Sequence, residues 1–136
     1  MTIKLLKDIT WNMSILYVED DAQLLKSKEE ILKQLFSHVK IFDNAKDAII
    51  FYRQEKVDIV MTDINMPDMN GFEMIEIMQS TNKNQKFLVL SVYKKEDLTK
   101  KLKDLNIEHF LTKPISTTKL LEAIENLAIE SLEIHS

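Results

Sequence analysis

A small set of polar residues with the types needed for phosphoryl chemistry lies close behind short apolar runs of the sequence. These residues are Glu19 with Asp20, then Asp63, Ser91 and Lys113. Carboxylates gathered in one partly desolvated crevice repel one another, and leaving them ionised without a counter-charge is costly. A hard cation removes that cost, and Mg²⁺ suits it best because it prefers oxygen ligands and keeps several waters. The carboxylates therefore predict a Mg²⁺ (or Mn²⁺) site.

The same set contains the parts of a phosphoryl acceptor. A carboxylate that attacks a phosphoryl donor gives an acyl phosphate, and a bound cation offsets charge on the transferring oxygens. The ammonium of Lys113 can follow one phosphoryl oxygen, and the hydroxyl of Ser91 can hydrogen-bond another. Each residue alone has an ordinary structural explanation, such as the helix start that we expect of Asp21. The combination is what indicates phosphoryl chemistry.

Alternating strands and helices are needed to bring these residues together. Short apolar runs at 15–18, 57–61, 87–90 and 107–111 predict strands, and the alternating run 39–41 predicts a half-exposed edge strand. Apolar residues at three- and four-residue spacing between the runs predict helices, two of them with Asn70 and Ser116 as N-caps. This order predicts one doubly wound α/β domain with right-handed crossovers, whose ligands bind at the carboxyl ends of the strands.

Length and composition limit the classes of protein. The 136 residues, 45% hydrophobic and 29% charged, predict one folded domain, and the absence of cysteine excludes thiolate metal sites. A net charge of −4 without a dense basic cluster argues against a direct nucleic-acid partner. No apolar run approaches the roughly 20 residues that span a bilayer, so we expect no membrane insertion and a cytoplasmic location. We expect an N-terminal extension at 1–13, the domain at 14–132 and a C-terminal tail at 133–136.

Two segments resemble the receiver domain of bacterial two-component response regulators. Residues 15–21, Ile-Leu-Tyr-Val-Glu-Asp-Asp, are similar to the first strand and acidic pair of that family. Residues 63–71, which include Pro67 and Gly71, are similar to its phosphoacceptor strand end and following loop, the most specific signature. The resemblance runs from about residue 15 to the last helix. It implies a flavodoxin-like (βα)5 fold of the single-domain, chemotaxis-regulator type, with a five-stranded parallel sheet in order 2-1-3-4-5 and helices on both faces.

The resemblance also implies a ligand set for the cation. Asp63 is the implied phosphorylation site. Asp20 and Asp63 are implied as direct ligands, Asn65 as the donor of a backbone carbonyl, and Glu19 as a ligand that acts mostly through water.

Further roles follow from the resemblance for residues of the fourth and fifth strands. Ser91 matches the switch hydroxyl, Phe110 the switch aromatic, and Lys113 with Pro114 the lysine–proline pair whose peptide bond is typically cis. The sequence departs from the usual pattern beside these positions, at Val92, Tyr93, Glu108 and His109.

The function implied by the resemblance is regulatory rather than enzymatic. The chain would accept a phosphoryl group from a histidine kinase or phosphotransfer protein and promote its own phosphorylation and dephosphorylation. It would then contact a downstream protein effector through the predicted fourth helix, fifth strand and fifth helix. The fourth helical region is basic, which suits an acidic partner but is equally typical of a solvated helix face: Lys94, Lys95, Lys100, Lys101 and Lys103.

Two other functions stay open at this point. A small-molecule phosphatase or phosphotransferase could use Asp63 as a transient nucleophile, although the sequence has no spare segment for a cap and no Gly-rich phosphate loop. A receiver that serves only as a non-phosphorylated scaffold is the second alternative, and the presence of every reacting group argues against it.

Overall fold

The computed structural model describes residues 2–135, with side chains up to residue 132, and its centre is a five-stranded parallel sheet. Met1 and Ser136, which belong to the predicted extension and tail, lie outside the described residues. The strand order is β2-β1-β3-β4-β5, so the predicted order 2-1-3-4-5 is confirmed. The strands are β1 (Ser14–Val18), β2 (His38–Phe42), β3 (Ile59–Asp63), β4 (Lys86–Ser91) and β5 (His109–Thr112).

Helices cover both faces of this sheet. They are α1 (Ile3–Thr10), α2 (Ala22–Leu35), α3 (Ala45–Gln54), α4 (Gly71–Thr81), α5 (Thr99–Asp104), which follows a 3₁₀ turn at Lys95–Leu98, and α6 (Thr117–His135). Strand residues alternate between two cores: Leu16 and Val60 pack under α3, α4 and α5, whereas Ile15 and Ile59 pack under α1, α2 and α6. None of the helices described is long and apolar enough to cross a membrane.

Hydrogen bonds at the helix starts fix the turns that follow the strands. The Asp21 carboxylate accepts hydrogen bonds from the first backbone amides of α2, and the Ser116 hydroxyl accepts one at the start of α6. Asn70 and Glu73 form a reciprocal capping box on α4, at 2.9 and 3.2 Å. The N-cap predictions for Asn70 and Ser116, and the structural role expected of Asp21, are confirmed.

The central strand β3 lies two residues further along the chain than the predicted run 57–61. Asp58 serves as a connector instead, because its Oδ2 accepts a hydrogen bond of 2.7 Å from the backbone amide of Ser14. At the other end the backbone ladder continues through Thr62 and Asp63, which pair with β4. Polarity marks these two residues as loop in the sequence, but their buried backbone groups need partners, which the sheet and the Thr62 hydroxyl supply.

The segment before β1 forms the helix α1 and packs against α2 and α6. Leu6 and Thr10 on its inner face are buried. The Thr10 hydroxyl lies 2.6 Å from the Leu35 carbonyl and 3.0 Å from the Leu6 carbonyl, so it joins α1 to the end of α2. This segment, which the sequence left without a role, therefore extends the core on the α2–α6 side.

Replacing Thr10 with valine tests whether α1 stabilises the domain. Thr10→Val keeps the shape but leaves the Leu35 carbonyl without its donor, so we expect a loss of about 1–2 kcal/mol in the free energy of unfolding. Urea unfolding followed by circular dichroism measures this. The control is Thr118→Val on the exposed first turn of α6, expected to change stability by less than about 0.5 kcal/mol. Equal effects of the two substitutions would show that α1 contributes nothing through this contact.

Candidate functional site

Four strands end at one edge of the sheet and bring their polar residues together. Glu19 follows β1, Asp63 ends β3, Ser91 ends β4 and Lys113 follows β5. The exposed fractions of Glu19, Asp63 and Ser91 are 0%, 6% and 0%. Polar groups so deeply buried need partners, and the geometry of the edge is set by those partners.

The Lys113 ammonium lies between two of the carboxylates. Its Nζ is 2.9 Å from Glu19 Oε1 and 3.1 Å from Asp63 Oδ2, and its side chain is 13% exposed. Burial by itself lowers the pKa of Lys113, but the hydrogen bond to Glu19 and the charge of Asp63 outweigh it, so the pKa is raised. Lys113 therefore stays charged and neutralises part of the repulsion between Glu19 and Asp63.

Glu19 is held on both carboxylate oxygens. Oε1 also accepts from the Tyr17 hydroxyl at 3.4 Å, and Oε2 accepts from the Asp21 backbone amide at 3.3 Å. Burial, followed by the charge of Glu19, raises the pKa of Tyr17, so its phenol stays protonated and can donate. Glu19 is consequently a fixed charge with little freedom to turn outward.

The two groups best placed to meet a phosphoryl group each keep unused hydrogen-bonding capacity. Asp63 Oδ1 accepts a 2.8 Å hydrogen bond from the Ile64 amide, which leaves Oδ2 toward Lys113. The Ser91 Oγ accepts from the Tyr93 amide at 2.9 Å. Because the Ser91 hydroxyl donates to no other described residue, its hydrogen is available to an incoming oxygen.

The loop after β3 returns across the end of the strand, and Gly71 is the reason that it fits. The Gly71 amide donates to the Ile64 carbonyl at 2.8 Å. A Cβ at this position would lie 2.3 Å from the Asp63 carbonyl oxygen and 3.0 Å from the Ile64 Cα. Only a residue without a side chain permits this approach, which ties the start of α4 to Asp63.

Three carboxylates at this edge could share a cation. Glu19, Asp20 and Asp63 each offer one oxygen, and these oxygens all lie within 4.8 Å of one another. Asp20 is exposed at the mouth, yet partial burial still raises its pKa, as does its contact with Glu19. An all-oxygen, acidic donor set with one open side fits a hard divalent cation such as Mg²⁺. Asn65, the fourth residue of the predicted ligand set, is exposed in the loop after β3.

The remaining predicted residues lie on and beside β5. Phe110 is half-buried and packs against the core beneath α3, α4 and α5. The Lys113–Pro114 peptide bond is cis. The Lys113 amide donates to the Ser91 carbonyl at 2.7 Å, which couples the ends of β4 and β5.

A second group of possible metal ligands lies at the opposite end of the sheet. Glu108, His109 and Glu130 have ligand atoms within 4.8 Å of one another. His109 Nε2 is 2.9 Å from Glu130 Oε1, and Lys86 Nζ is 3.4 Å from Glu130 Oε2. Because Glu130 already has two partners, this group is explained as a link between α6 and the strands β4 and β5.

Sequence reasoning missed Lys28, which lies on the inner face of α2 and is only 8% exposed. The signal was present in the sequence, since Lys28 is the one charged residue within the apolar stripe of this helix. Its pKa is influenced by Glu19, Asp63 and Lys113, which together with Asp20 form an acidic pocket at this edge of the sheet.

Fold and site together define a class of protein. Residues 15–125 match the family model described as the response regulator receiver domain. The chain therefore belongs to the receiver domains of two-component response regulators, a family of regulatory phosphoacceptor domains, and the resemblance noted in the sequence is confirmed.

Individual relatives are similar over most of the chain. The chemotaxis protein CheY of Treponema pallidum is 30% identical over 118 residues, which cover 83% of this chain and 81% of that protein. A chain of the CheX–CheY–BeF3–Mg²⁺ complex from Borrelia burgdorferi is 25% identical, with a TM-score of 0.79 over 88% of this chain and 92% of its own. A CheY-like receiver domain protein from Methanospirillum hungatei shares the fold, with a TM-score of 0.82 at 24% identity, over 90% and 98% of the two chains.

Adding one methyl group at Gly71 tests the contact between this loop and Asp63. We expect Gly71→Ala to lower the free energy of unfolding by about 1–3 kcal/mol, because the new Cβ must displace backbone. The Ile64 amide resonance, which reports the hydrogen bond to Asp63, should shift in a ¹H–¹⁵N spectrum. Asn70→Ala removes only the cap of α4 and should leave that resonance in place, so equal shifts in both variants would contradict the argument.

Removing the ammonium of Lys113 tests the central ion pairs. Lys113→Met leaves the buried charge of Glu19 without its cation, so we expect a loss of about 3 kcal/mol in chemical unfolding. The control is Lys101→Met, which breaks an exposed 3.0 Å pair with Glu76 and should cost less than about 1 kcal/mol. Similar losses for both lysines would mean that burial adds nothing to the Lys113 pairs.

Proposed function

We propose that the chain is a phosphorylation-dependent switch that accepts a phosphoryl group on Asp63 from a histidine kinase or phosphotransfer protein. The observation that carries this proposal is the buried Lys113 ammonium, within hydrogen-bonding distance of both Asp63 and Glu19. It places the Asp63 carboxylate beside a cationic donor, at the end of a central strand. Such a group is a suitable nucleophile for an electrophilic phosphorus.

In the proposed reaction an oxygen of Asp63 attacks the phosphorus of a phosphohistidine. The P–O bond to Asp63 forms as the P–N bond breaks, and the departing imidazole keeps the electron pair and takes a proton from solvent. Lys113 follows one phosphoryl oxygen, and the Ser91 hydroxyl donates to another. A divalent cation held by Asp20, Asp63 and the Asn65 carbonyl, with Glu19 acting through water, would supply electrostatic stabilisation of the transferring oxygens. Attack of water on the acyl phosphate returns the carboxylate and releases phosphate.

The signal is proposed to spread from Ser91 to β5 and its neighbouring helices. A phosphoryl group adds roughly −1.5 to −2 charges at pH 7, which draws Ser91 toward it and opens space for Phe110 to turn inward. A complete reversal of such an equilibrium needs about 5.5 kcal/mol, so we expect a partial population shift. The output would be a protein contact on the face of α5, β5 and α6.

The lysines around α5 would suit an acidic effector. Those that precede or lie within the 3₁₀ turn and α5 are all exposed: Lys94, Lys95, Lys100, Lys101 and Lys103. The similar Borrelia chain comes from a complex with CheX, BeF3 and Mg²⁺, which supports a divalent cation and a protein partner for this chain as well. A direct nucleic-acid partner is not part of the proposal, and the cytoplasmic location stays a prediction.

Two surface recesses of about 170 and 770 Å³ are lined by residues at the amino ends of the strands, including Lys86, and neither is lined by Asp63. A small-molecule phosphatase would need a substrate enclosure around the nucleophile, and neither of these two recesses provides one.

Incubation with acetyl phosphate and Mg²⁺, followed by intact-mass measurement, tests the proposal. We expect one phosphoryl addition that is stable in acid and labile to base and hydroxylamine, and that is absent with a chelator. Asp63→Asn should abolish the addition. The control Asp68→Asn changes an exposed carboxylate in the following loop and should leave it intact. No addition to the wild-type chain would leave the scaffold function, and rapid turnover of unrelated phosphoesters would favour an enzyme.

A further inference from the structure

The helix α2 carries a buried lysine that the proposed reaction does not use. Lys28 lies on the same inward stripe as Leu24, Leu32 and Leu35 and is 8% exposed, although a lysine is almost never buried unless its charge is compensated. Packing alone does not explain it, because a leucine or methionine would fill this position at no electrostatic cost. The ammonium therefore needs solvent or opposite charges nearby.

Helix geometry directs the Lys28 side chain toward the acidic pocket. The helix α2 begins at Ala22, directly after the acidic residues, and returns antiparallel to β1 in the manner of a βα unit. Side chains on a helix lean toward its N-terminus, so the long stem of Lys28 extends back along the helix–sheet interface. Asp21, the N-cap of α2, lies about 10 Å from Lys28 along the helix axis. The stem of Lys28 extends toward that end of the helix and so brings its ammonium closer to the acidic pocket.

The charges around Lys28 agree with this direction. The pKa of Lys28 is lowered: burial lowers it most and the ammonium of Lys113 adds to this, whereas the carboxylates of Glu19, Asp21 and Asp63 raise it without offsetting the burial. Lys28 therefore lies close enough to interact electrostatically with the Lys113 ammonium and with the two carboxylates that it pairs with, Glu19 and Asp63.

The Lys28 ammonium is close to these groups without being bonded to them. It makes no hydrogen bond or ion pair with any residue in the described part of the chain. No buried side-chain nitrogen or oxygen among the described residues lacks a partner, so the ammonium must keep contact with solvent. It therefore acts through its charge rather than through a specific bond.

We propose that Lys28 is a second fixed cation of the acidic pocket, a positioning residue that shares the charge of Glu19 with Lys113 and competes with a divalent cation. This inference rests on the proposed function, because it assumes that the pocket binds a cation. The three candidate ligand carboxylates carry three negative charges, which Lys113 and Lys28 reduce to one. A pocket that is less negative binds a divalent cation less tightly.

Neutralising Lys28 should therefore tighten cation binding. We expect Lys28→Met and Lys28→Gln to lower the dissociation constant for Mn²⁺, measured by electron paramagnetic resonance, on the order of tenfold after solvent screening. Lys28→Arg keeps the charge and should bind Mn²⁺ as the wild type does. The control Lys26→Met removes the same charge from the exposed face of α2 and should change the constant less than about twofold.

A stability measurement separates this role from simple packing. Without Mn²⁺ the Lys28→Met variant should be at least as resistant to unfolding as Lys28→Arg, because burial disfavours the charged side chain. Mn²⁺ should then stabilise Lys28→Met more than Lys28→Arg, because the neutral variant binds the cation more tightly. Unchanged Mn²⁺ affinity in folded Lys28→Met and Lys28→Gln, or tighter binding by Lys28→Arg, would overturn the inference. If the wild-type chain binds no Mn²⁺ at all, the cation site of the proposed function fails instead. The two failures are thus distinguishable.

Discussion

The repulsion between Glu19 and Asp63 is the constraint on which the rest of the site depends. Two carboxylates at neighbouring strand ends, one fully buried and one nearly so, repel each other strongly unless a cation lies between them. Lys113 supplies that cation from β5, a strand that lies two places away from β3 in the sheet. The ion pairs therefore form only if β1, β3, β4 and β5 are correctly placed side by side, so the geometry of the site depends on the packing of the sheet.

The parallel sheet makes this arrangement possible because it gathers residues that are distant in sequence. Every strand ends at the same edge, so Glu19 and Lys113 meet although 94 residues separate them. The apolar residues on both faces of the sheet fix the position of each strand along its own axis. The caps at Asp21 and Asn70 fix the turns that lead into α2 and α4. The close backbone approach of Gly71 to Asp63 then ties the loop after β3 to the end of that strand.

Much of the fold could be predicted because apolar periodicity reports burial directly. The strand order followed from the family resemblance, and the caps at Asn70 and Ser116 from local side-chain chemistry. The bounds of β3 were wrong by two residues because Thr62 and Asp63 are polar, and a sequence pattern cannot show that their backbone groups stay in the ladder. The packing of α1 and the burial of Lys28 were missed for a related reason, since both depend on contacts with residues remote in sequence.

The fixed hydrogen bonds of Glu19 suggest how the acidic residues of the proposed switch divide their work. Its two oxygens are held by Tyr17, Lys113 and the Asp21 amide, so turning it toward an incoming cation would break several bonds at once. Asp20 at the exposed mouth contacts Glu19 but is not enclosed in this way. We infer that Glu19 chiefly sets the charge of the pocket, whereas Asp20 and Asp63 provide the oxygens that exchange between Lys113, cation and solvent. In such a site a cation or solvent can enter and leave without moving Glu19, the buried charge that pairs with Lys113.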